Sequence, residues 1–314
     1  MHVTVLIPVY NRERFIGDAL DSVIAQDYHE WDILVVDDGS TDRSVEVVKS
    51  RMSDDRIALI QMKHGGCAAA TAIGIEYARG PVITSLDSDD KLMPDSLSAV
   101  MPSFENNPRL GFAWTNCVDS TGDKGPGDFL PYDKTFFEAL IGGWWRVCAQ
   151  RFFRKEFYLQ SEGLDTSIKY AVDVQLALLI GKTGCDTMHI PKVTYWLRLH
   201  PHRISNEHHA EQYEAWRLLR RKYCVGSPAL TELYIEGLGR YIVEIEKETD
   251  ALRSWAASIE KERIALRSEL TNIKKCFGYK LMRLYGPIID QALPDGTRRG
   301  ELKRRVLDLL GGLS

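Results

Sequence analysis

The amino-acid sequence predicts an α/β protein, in which a mainly parallel sheet flanked by helices is followed by a C-terminal helical extension. Short apolar runs alternate with amphipathic stretches through about the first hundred residues, a pattern typical of a parallel sheet covered on both faces. Between residues 240 and 277 there is neither Gly nor Pro, and apolar residues recur every seventh position, which favours a long helix. The length of 314 residues leaves room for a large domain and an appendage.

Four pairs of a strand and a helix make up the first part of the chain. The strand-like runs read VTVLIPV, DILVVDD, RIALIQM and PVITSLD. The helical stretches that follow them cover residues 13–24, 41–52, 66–78 and 94–104. Ligands of such sheets bind beyond the carboxyl ends of the strands, so we expect the functional site where these runs end.

Composition divides the chain into three segments. We predict a globular domain over residues 1–225, a long C-terminal helix over residues 226–280 and a basic amphipathic tail over residues 281–314. Within the globular domain, Gly and Pro mark a loop at residues 122–127. A further strand-like run, MHIPKVTYWLRLH, begins at Met188.

The predicted C-terminal helix carries a repeat of seven residues. Its apolar members are Leu238, Ile245, Leu252, Ile259, Leu266 and Ile273. We interpret residues 238–277 as a coiled coil that joins copies of the chain into a homo-oligomer, most simply a dimer. The alternative is a long helix docked on the chain's own globular domain.

The end of the chain is basic. Residues 274–314 contain nine Lys or Arg residues and four acidic residues, with apolar residues between them. This composition favours peripheral contact with anionic lipid, which would hold the protein on the inner face of the membrane. The alternative is a solvated basic end with a small packing face.

Overall composition bears on the partners and the compartment. The formal net charge of −4 gives no reason to expect nucleic acid as a partner. Six cysteines without C-x-x-C pairs or metal-ligand spacing indicate reduced thiols. We see neither a secretory signal nor an apolar run of about 18 residues, the length of a membrane-spanning helix. We therefore expect a cytoplasmic protein without disulfides.

Three aspartates lie within four positions at the end of the fourth strand-like run, in TSLDSDD. Left bare, they would repel one another by about a few kcal/mol in a partly desolvated site. Asp87 and Asp89 point to the same side of an extended chain, and Mg²⁺ or Mn²⁺ takes such carboxylates together with phosphate oxygens. The motif therefore predicts a metal ion that holds a diphosphate. A helix cap and turn before Pro94 is the alternative.

Five segments carry a family resemblance. They read VLIPVYNRERFIGDALDSVIAQ, ILVVDDGSTDRS, HGGCAAATAIGIEYARGPVITSLDSDD, RFFRKEFYLQSEGLD and YAVDVQLAL. In this order and spacing they resemble family 2 glycosyltransferases of the GT-A fold, over about residues 3–205. The resemblance implies a Rossmann-like GT-A fold and a glycosyltransferase of the hexosyltransferase type, as in the synthesis of bacterial surface polysaccharides.

The resemblance also implies roles for particular residues. It implies contacts with the nucleotide sugar for Pro8, Tyr10, Asn11, Asp37, Gly66, Asp87, Ser88, Asp90 and Arg198. It implies that Asp89, Asp87 and His200 bind the metal ion, Mn²⁺ or Mg²⁺. Asp173 matches the general base that deprotonates the acceptor hydroxyl, with an ordinary acid in the first turn of a helix as the structural alternative.

The chain departs from the family pattern at two places. Val172 and Asp173 stand where the family usually has Glu-Asp, and the second of these positions is the one assigned to the base. Thr71 and Ala72 stand where similar sequences usually have Arg-Asn. Because that Arg normally supports the nucleotide, its absence leaves the identity of the donor open.

These observations predict a metal-dependent, inverting glycosyltransferase that transfers a sugar from a nucleotide-sugar donor to a hydroxyl group of a growing cell-surface glycan, which could be lipid-linked. A carboxylate at Asp37 suits the imide N–H of uracil and Tyr10 offers a ring face, which favours a UDP-sugar. One base without a nucleophilic second carboxylate implies a single displacement with inversion.

Two other functions are alternatives. A sugar nucleotidyltransferase shares the nucleotide-binding layout but needs a Gly-rich phosphate loop near the first strand, and PVYNRERF has no glycine. A catalytically silent module that assembles through the heptad helix would keep the fold without the chemistry. Loss of turnover on substitution of Asp89 and Asp173 would separate an enzyme from such a scaffold.

Overall fold

The computed structural model describes most of the chain. The described residues are 1–123, 135–143, 150–201, 203, 208–245 and 257–273. The basic tail predicted over residues 281–314 lies outside them, as does Leu252 of the heptad repeat. The chain divides into two compact units: the first comprises Met1–Leu140 and Trp144–Leu219, and the second comprises Ile141–Gly143 and Arg220–Ser314.

The first unit is built on a sheet of eight strands in the order β3-β2-β1-β4-β7-β6-β8-β5. The strands are β1 (Val3–Val9), β2 (Trp31–Asp37), β3 (Ile57–Gln61), β4 (Val82–Ser85), β5 (Lys91–Leu92), β6 (Leu110–Asp119), β7 (Arg151–Arg154) and β8 (Asp186–Leu197). Strands β1 to β4 pair in parallel, as do β6 and β8. Strand β7 runs antiparallel to β4 and β6, and β5 runs antiparallel to β8.

Helices of the first unit flank this sheet. They are α1 (Ile16–Ile24), α2 (Ser44–Lys49), α3 (Cys67–Tyr77), α4 (Ser96–Asn106), α5 (Phe136–Ile141), α6 (Lys155–Leu159) and α7 (Val172–Gly181). The chain continues with α8 (His209–Cys224), α9 (Pro228–Ile245) and α10 (257–273). The predicted fold class, a mainly parallel sheet flanked by helices, is confirmed. The four predicted pairs of strand and helix are all present, with ends that differ by a few residues.

Hydrophobic periodicity explains these early elements. Strand β2 is buried at all seven positions, as expected for a strand inside a sheet that is covered on both faces. Helix α1 buries Ile16, Ala19, Leu20 and Val23, whose spacing of three and four residues forms one apolar stripe. Strands β6 and β7 lie between residues 105 and 187, where the sequence predicts no strand.

Helix α3 lies unusually close to β1. A Cβ atom on Gly74 would come within 2.1 Å of the Leu6 Cδ1 atom, so a larger residue there would displace the Leu6 side chain. Because α3 follows β3, its first turn, which starts at Cys67, begins at the carboxyl edge of the sheet.

The second unit contains two helices that pack side by side. A Cβ atom on Gly239 in α9 would lie 2.6 Å from the Arg263 Nη1 atom in α10. Along one straight helix, residues 24 positions apart would be separated by roughly 36 Å. The structure thus has two adjacent helices where the heptad repeat predicts one long helix. Among its members, Leu238 and Ile259 are buried within the chain, with 1% and 3% of their surface exposed.

None of the described helices combines the length and the apolar composition needed to span a bilayer.

Candidate active site

The candidate active site lies at the carboxyl edge of the sheet, where β1, β2 and β4 end. Asn11 follows β1, Asp37 ends β2 and the aspartate loop, residues 87–90, follows β4. Because β7 runs antiparallel to β4, the first residue of β7, Arg151, reaches the same edge. Parallel strands thus collect segments that are far apart in the sequence.

Asp37 is buried at the end of β2, with 1% of its surface exposed. The backbone N–H of Ser40 lies 3.3 Å from each of its carboxylate oxygens, as in a turn closed by an aspartate side chain. Pro8 pairs with Val36 inside the sheet, and Val9 pairs with Asp37. The contacts predicted for Pro8 and Asp37 with a nucleotide remain predictions.

Tyr10 presents an aromatic surface at this end of the site. Its side chain is 40% exposed and stacks on the imidazole of His64, with ring centroids 4.4 Å apart and planes at 25°. The His64 Nδ1 atom lies 2.9 Å from an Asp38 carboxylate oxygen. The two rings form a platform of the kind on which a planar base stacks.

Asp38 holds the loop that leads into α3. Its carboxylate accepts the backbone N–H groups of Gly65 and Gly66 at 2.7 Å and 3.0 Å. Gly66 has a φ of +90°, which L side chains rarely adopt. A glycine backbone therefore borders the site at the position for which the sequence predicts a nucleotide contact.

Asn11 braces the turn after β2. Its side-chain oxygen accepts the backbone N–H of Thr41 at 2.8 Å, and its own N–H donates to the Ser40 Oγ atom at 3.0 Å. Its φ is +52°, in the left-handed region that asparagine tolerates better than most residues. In this arrangement Asn11 shapes the pocket through the turn.

Asp90 anchors the aspartate loop to β8. Only 1% of its surface is exposed, and its two carboxylate oxygens accept the Tyr195 hydroxyl at 2.9 Å and the Arg198 backbone N–H at 2.8 Å. Burial, with smaller contributions from Asp87 and Asp89, raises the pKa of Asp90 to about 7. Ser88 in the same loop is buried as well. Both hydrogen bonds of Asp90 therefore fix the orientation of the loop.

Asp89 and His200 lie together, as the metal prediction requires. The Asp89 Oδ2 atom is 3.0 Å from the His200 Nε2 atom and 3.3 Å from the Arg12 Nε atom, which donates to it. The His200 ring also stacks on Phe15, with centroids 4.9 Å apart. Two residues separated by more than a hundred positions in the chain thus meet at one point of the cleft.

Asp87 is a carboxylate of the loop that the charges of other site residues affect. Its side chain remains accessible from the cleft, although protein atoms surround the carboxylate on most sides. Burial raises the pKa of Asp87, and the charge of Arg151 opposes this rise. The carboxylates of Asp89 and Asp173 raise it further, and Arg203 lowers it.

The donor set fits a hard divalent cation. Carboxylate oxygens with an imidazole nitrogen are ligands that Mn²⁺ accepts, and Mg²⁺ accepts the carboxylates. A cation would also relieve the repulsion that raises the pKa of Asp87. Within the described part of the chain, however, no three His, Cys, Asp or Glu side chains are already grouped as a metal site. Binding would therefore require the side chains of Asp87 and Asp89 to turn toward a common point.

Arg198 clamps β8 onto α1. Its Nη2 atom donates to the Asp18 Oδ2 atom at 2.6 Å, and its Nε atom donates to the Asp89 carbonyl oxygen at 2.9 Å. The guanidinium carbon lies 5.1 Å from the centre of the Phe15 ring and 4.9 Å from that of Trp196. The nucleotide contact predicted for Arg198 would add to these structural bonds.

Asp173 lies in the first turn of α7, with 29% of its side chain exposed. The Arg151 Nη1 atom is 3.3 Å from its Oδ2 atom. The residue before the helix, Ala171, has a φ of +64°, an unfavourable conformation for an alanine. The ion pair with Arg151 therefore fixes the carboxylate of the base candidate, and the backbone just before its helix is strained.

Thr71 is the residue for which the resemblance would imply an arginine. Its side chain is buried on α3, and the Oγ1 atom lies 3.9 Å from the Cys67 Sγ atom. Cys67 remains accessible at the rim of the site, yet the surrounding protein raises the pKa of its thiol to about 11, with a further contribution from Asp87. This side of the site therefore carries small neutral side chains.

Sequence reasoning missed four side chains of the site. Arg12 bonds Asp89, His64 stacks on Tyr10, Arg151 pairs with Asp173, and Arg203 acts on Asp87 through its charge. The first three stand within the segments that carry the family resemblance, and Arg203 lies 25 residues beyond the last of them. A local signal for their roles is lacking because each role depends on the order and register of the strands.

Comparison with protein families gives a match to the first half of the chain. The model of the family described as Glycosyl transferase family 2 matches residues 4–160. The chondroitin synthase of Escherichia coli is 26% identical over 209 residues, which cover 65% of this chain and 30% of the synthase. Across the curated relatives that we compared, the match covers between 14% and 39% of the relative's own length.

Two solved structures resemble the fold. A crystal structure of S. aureus TarS in complex with UDP has a TM-score of 0.62 and 18% identity, and the match covers 77% of this chain and 72% of that chain. The mannosyltransferase PcManGT from Pyrobaculum calidifontis, in complex with GDP-Man and Mn²⁺, has a TM-score of 0.50 and 19% identity, and the match covers 98% and 80% of the two chains. These likenesses confirm the predicted GT-A fold.

Proposed function

Because the chain belongs to glycosyl transferase family 2, we propose that it transfers a sugar from a nucleotide-sugar donor to a hydroxyl group of a growing cell-surface glycan, with inversion at the anomeric carbon. One observation carries this proposal. Asp37 and the aspartate loop lie at the carboxyl edge of a single sheet, and Asp173 pairs with Arg151, the first residue of β7, at the same edge. This is where α/β proteins bind their ligands.

For the donor we propose a UDP-sugar. The Asp37 carboxylate can accept the imide N–H of uracil, and the Tyr10–His64 pair offers a stacking surface next to it. The likeness to TarS bound to UDP supports this choice. The likeness to a mannosyltransferase bound to GDP-Man makes a guanine nucleotide the natural competitor in a donor screen.

For the cofactor we propose Mn²⁺ or Mg²⁺, held by Asp89, Asp87 and His200. The meeting of Asp89 and His200 at 3.0 Å supports the assignment. The bound ion would stabilise the negative charge of the departing nucleoside diphosphate. Arg12, which already donates to Asp89, would keep that carboxylate oriented toward the cleft.

For the base we propose Asp173. Its carboxylate would take the proton of the acceptor hydroxyl as the oxygen attacks the anomeric carbon and the bond to the diphosphate breaks. A single base without a nucleophilic carboxylate on the donor side implies one displacement and therefore inversion. The partly exposed position of Asp173 in the first turn of α7 leaves room for an acceptor.

For the acceptor we propose a glycan that grows at the cytoplasmic face of a membrane, free or lipid-linked. The relationship to a chondroitin synthase supports a polysaccharide product. The basic tail supports peripheral contact with anionic lipid at the inner face. Self-association through residues 238–277 is retained as part of the proposal, although α9 and α10 already bury some of the apolar residues concerned.

A screen of nucleotide sugars that monitors release of nucleoside diphosphate tests this function. We expect turnover with a UDP-sugar and an added glycan acceptor, in the presence of Mn²⁺ or Mg²⁺ and not of a chelator. Asp89→Ala and Asp173→Asn should each reduce turnover by about 100-fold or more.

Asp186→Asn is the matched control. Asp186 starts β8 and pairs with Arg109, at the amino edge of β8, away from the site, so turnover should be unchanged. If Asp89→Ala and Asp173→Asn both keep the turnover of the unmodified chain, the proposed roles of these residues are wrong.

A further inference from the structure

The cleft contains a buried cation to which the proposed function gives no role. Arg151 starts β7, and only 9% of its side chain is exposed. Its Nη1 atom lies 3.3 Å from the Asp173 Oδ2 atom, and its Nε atom is buried without a hydrogen-bond partner. A guanidinium that stays charged in such a place needs a compensating anion.

The sheet fixes where this side chain begins. The Thr84 Oγ1 atom donates to the Arg151 carbonyl oxygen at 2.9 Å, and Arg151 pairs with Trp114 on the other neighbouring strand. The register that pairs Thr84 with Phe152 places Ser85 opposite Arg151. Side chains at opposite positions of an antiparallel pair lie on the same face, so the arginine starts from a rigid base at the edge of the cleft.

The positive charge of Arg151 acts on two carboxylates of the site, those of Asp173 and Asp87. Arg151 forms its ion pair with Asp173, and it is also the main positive charge that counteracts the raised pKa of Asp87. Among the described residues, Arg151 is the side chain within ion-pairing distance of the Asp173 carboxylate.

We propose that Arg151 is a positioning residue of the transfer reaction, which holds the Asp173 carboxylate where it can reach the acceptor hydroxyl. This inference rests on the proposed function, in which Asp173 is the general base. Arginine keeps its proton at any pH in the working range of a protein. Arg151 therefore orients the base without exchanging a proton with it.

The chain provides a matched control on the same strand. Arg154 ends β7 and, like Arg151, has 7% of its surface exposed. Its guanidinium donates to the carbonyl oxygens of Leu110 and Asn107, at the end of the strand away from the cleft. The two arginines are equally buried, so their replacement by alanine should cost similar stability, but only Arg151 contacts a residue of the site.

The test compares Arg151→Ala, Arg151→Lys and Arg154→Ala in the full chain, with kcat, the KM for the donor and the melting temperature measured for each. We expect Arg151→Ala to lower kcat by about 100-fold, since a displacement of about 1 Å in a reacting group has this effect, with the KM for the donor changed by less than about threefold.

Arg151→Lys, which keeps the charge, should recover part of kcat. Added guanidinium ion should also raise kcat of Arg151→Ala. Arg154→Ala should lower the melting temperature and leave kcat unchanged below it.

Three outcomes would overturn the inference. In the first, kcat of Arg151→Ala stays within about threefold of the unmodified chain. In the second, the KM for the donor rises while kcat holds, which would make Arg151 a donor-binding residue. In the third, folded Arg154→Ala loses as much kcat as Arg151→Ala, which would make the effect structural. Loss of turnover in Asp173→Asn together with any of these refutes this inference alone. Full turnover in Asp173→Asn refutes Asp173 as the general base, and lack of turnover with every nucleotide sugar refutes the proposed function.

Discussion

At the scale of single residues, neighbouring aspartates of one loop serve different purposes. Asp87 stays accessible from the cleft, whereas Asp90 is buried and bonded to Tyr195 and to the backbone of Arg198. The Tyr195 hydroxyl also accepts the backbone N–H of Asp87 at 3.2 Å. A single phenol on β8 thus fixes the loop at two points, and the positions of the carboxylates depend on it.

Replacement of this phenol tests the anchoring. Tyr195→Phe leaves the Asp87 N–H and one Asp90 oxygen without their partner, and we expect the free energy of unfolding to fall by about 1–3 kcal/mol. Turnover should fall by about tenfold as the loop loses its position. Tyr158→Phe is the control, since this buried hydroxyl accepts the Leu164 N–H at 3.1 Å outside the site. Unchanged turnover in folded Tyr195→Phe would show that the loop does not need this anchor.

At the scale of elements, strained backbone occurs next to two elements of the candidate site, β1 and α7. Among the described residues, the non-glycine residues with a positive φ are Asn11, at +52°, and Ala171, at +64°. Asn11 follows β1 and Ala171 precedes α7, which carries Asp173. Strain of this kind persists only where the surrounding structure imposes it, and it concentrates at functional sites.

The strain at the start of α7 can be measured. Ala171→Gly removes the Cβ atom that disfavours the left-handed conformation, and we expect the free energy of unfolding to rise by about 1 kcal/mol. Ala177→Gly in the same helix is the control. This residue is fully buried, and glycine there should lower the free energy of unfolding by about 1 kcal/mol or more. Chemical denaturation measures both, and a loss of stability in Ala171→Gly would mean that the packing of the methyl group outweighs the strain.

At the scale of the whole molecule, the C-terminal part contains both buried heptad residues and a basic tail. Leu238 and Ile259 of the heptad repeat are buried inside the second unit, as is Leu270, while Ile273 remains 46% exposed. A dimer that uses the buried members would have to separate α9 from α10. The predicted homo-oligomer and the predicted lipid contact both remain predictions, and the second can be tested on the intact chain.

Flotation with vesicles measures the role of the basic tail. We expect the full chain to bind vesicles that contain anionic lipid and to lose binding at high salt. Replacement of Lys303, Arg304 and Arg305 by Gln removes about 1 kcal/mol of attraction for each residue, so the partition coefficient should fall by about 100-fold. Replacement of Lys49, Arg79 and Lys261 by Gln is the control of equal charge. Equal binding by the two triple variants would contradict attachment through the tail.

Much of the fold could be predicted because its signals are local. The periodicity of β1 to β4 and of the helices between them follows from which side chains face the core, and the predicted segments match the observed ones to within a few residues. Strand β7 escaped prediction because its four residues, RFFR, show no alternation and begin and end with arginine. Its place between β4 and β6 is a consequence of packing.

The sequence predicts the reactive groups of the candidate site, and their roles remain predictions. Asp89 and His200 were expected to share a ligand and lie 3.0 Å apart, whereas the partners of Asp90 and Asp173 were not foreseen. Tyr195 stands 105 positions from Asp90, and no short-range pattern relates them. Motifs identify reactive groups, but the residues that orient those groups come from any strand or helix that passes nearby.

By itself, the sequence determined the alternation of strands and helices, the family to which the chain belongs and the order of the carboxylates at the strand ends, because each of these depends on residues close together in the chain. Only the tertiary structure decided that β7 runs antiparallel between β4 and β6 and brings Arg151 to Asp173, and that α9 and α10 lie side by side. These features depend on strand register and on burial summed over the whole domain, in which residues far apart in the sequence compete for the same neighbours.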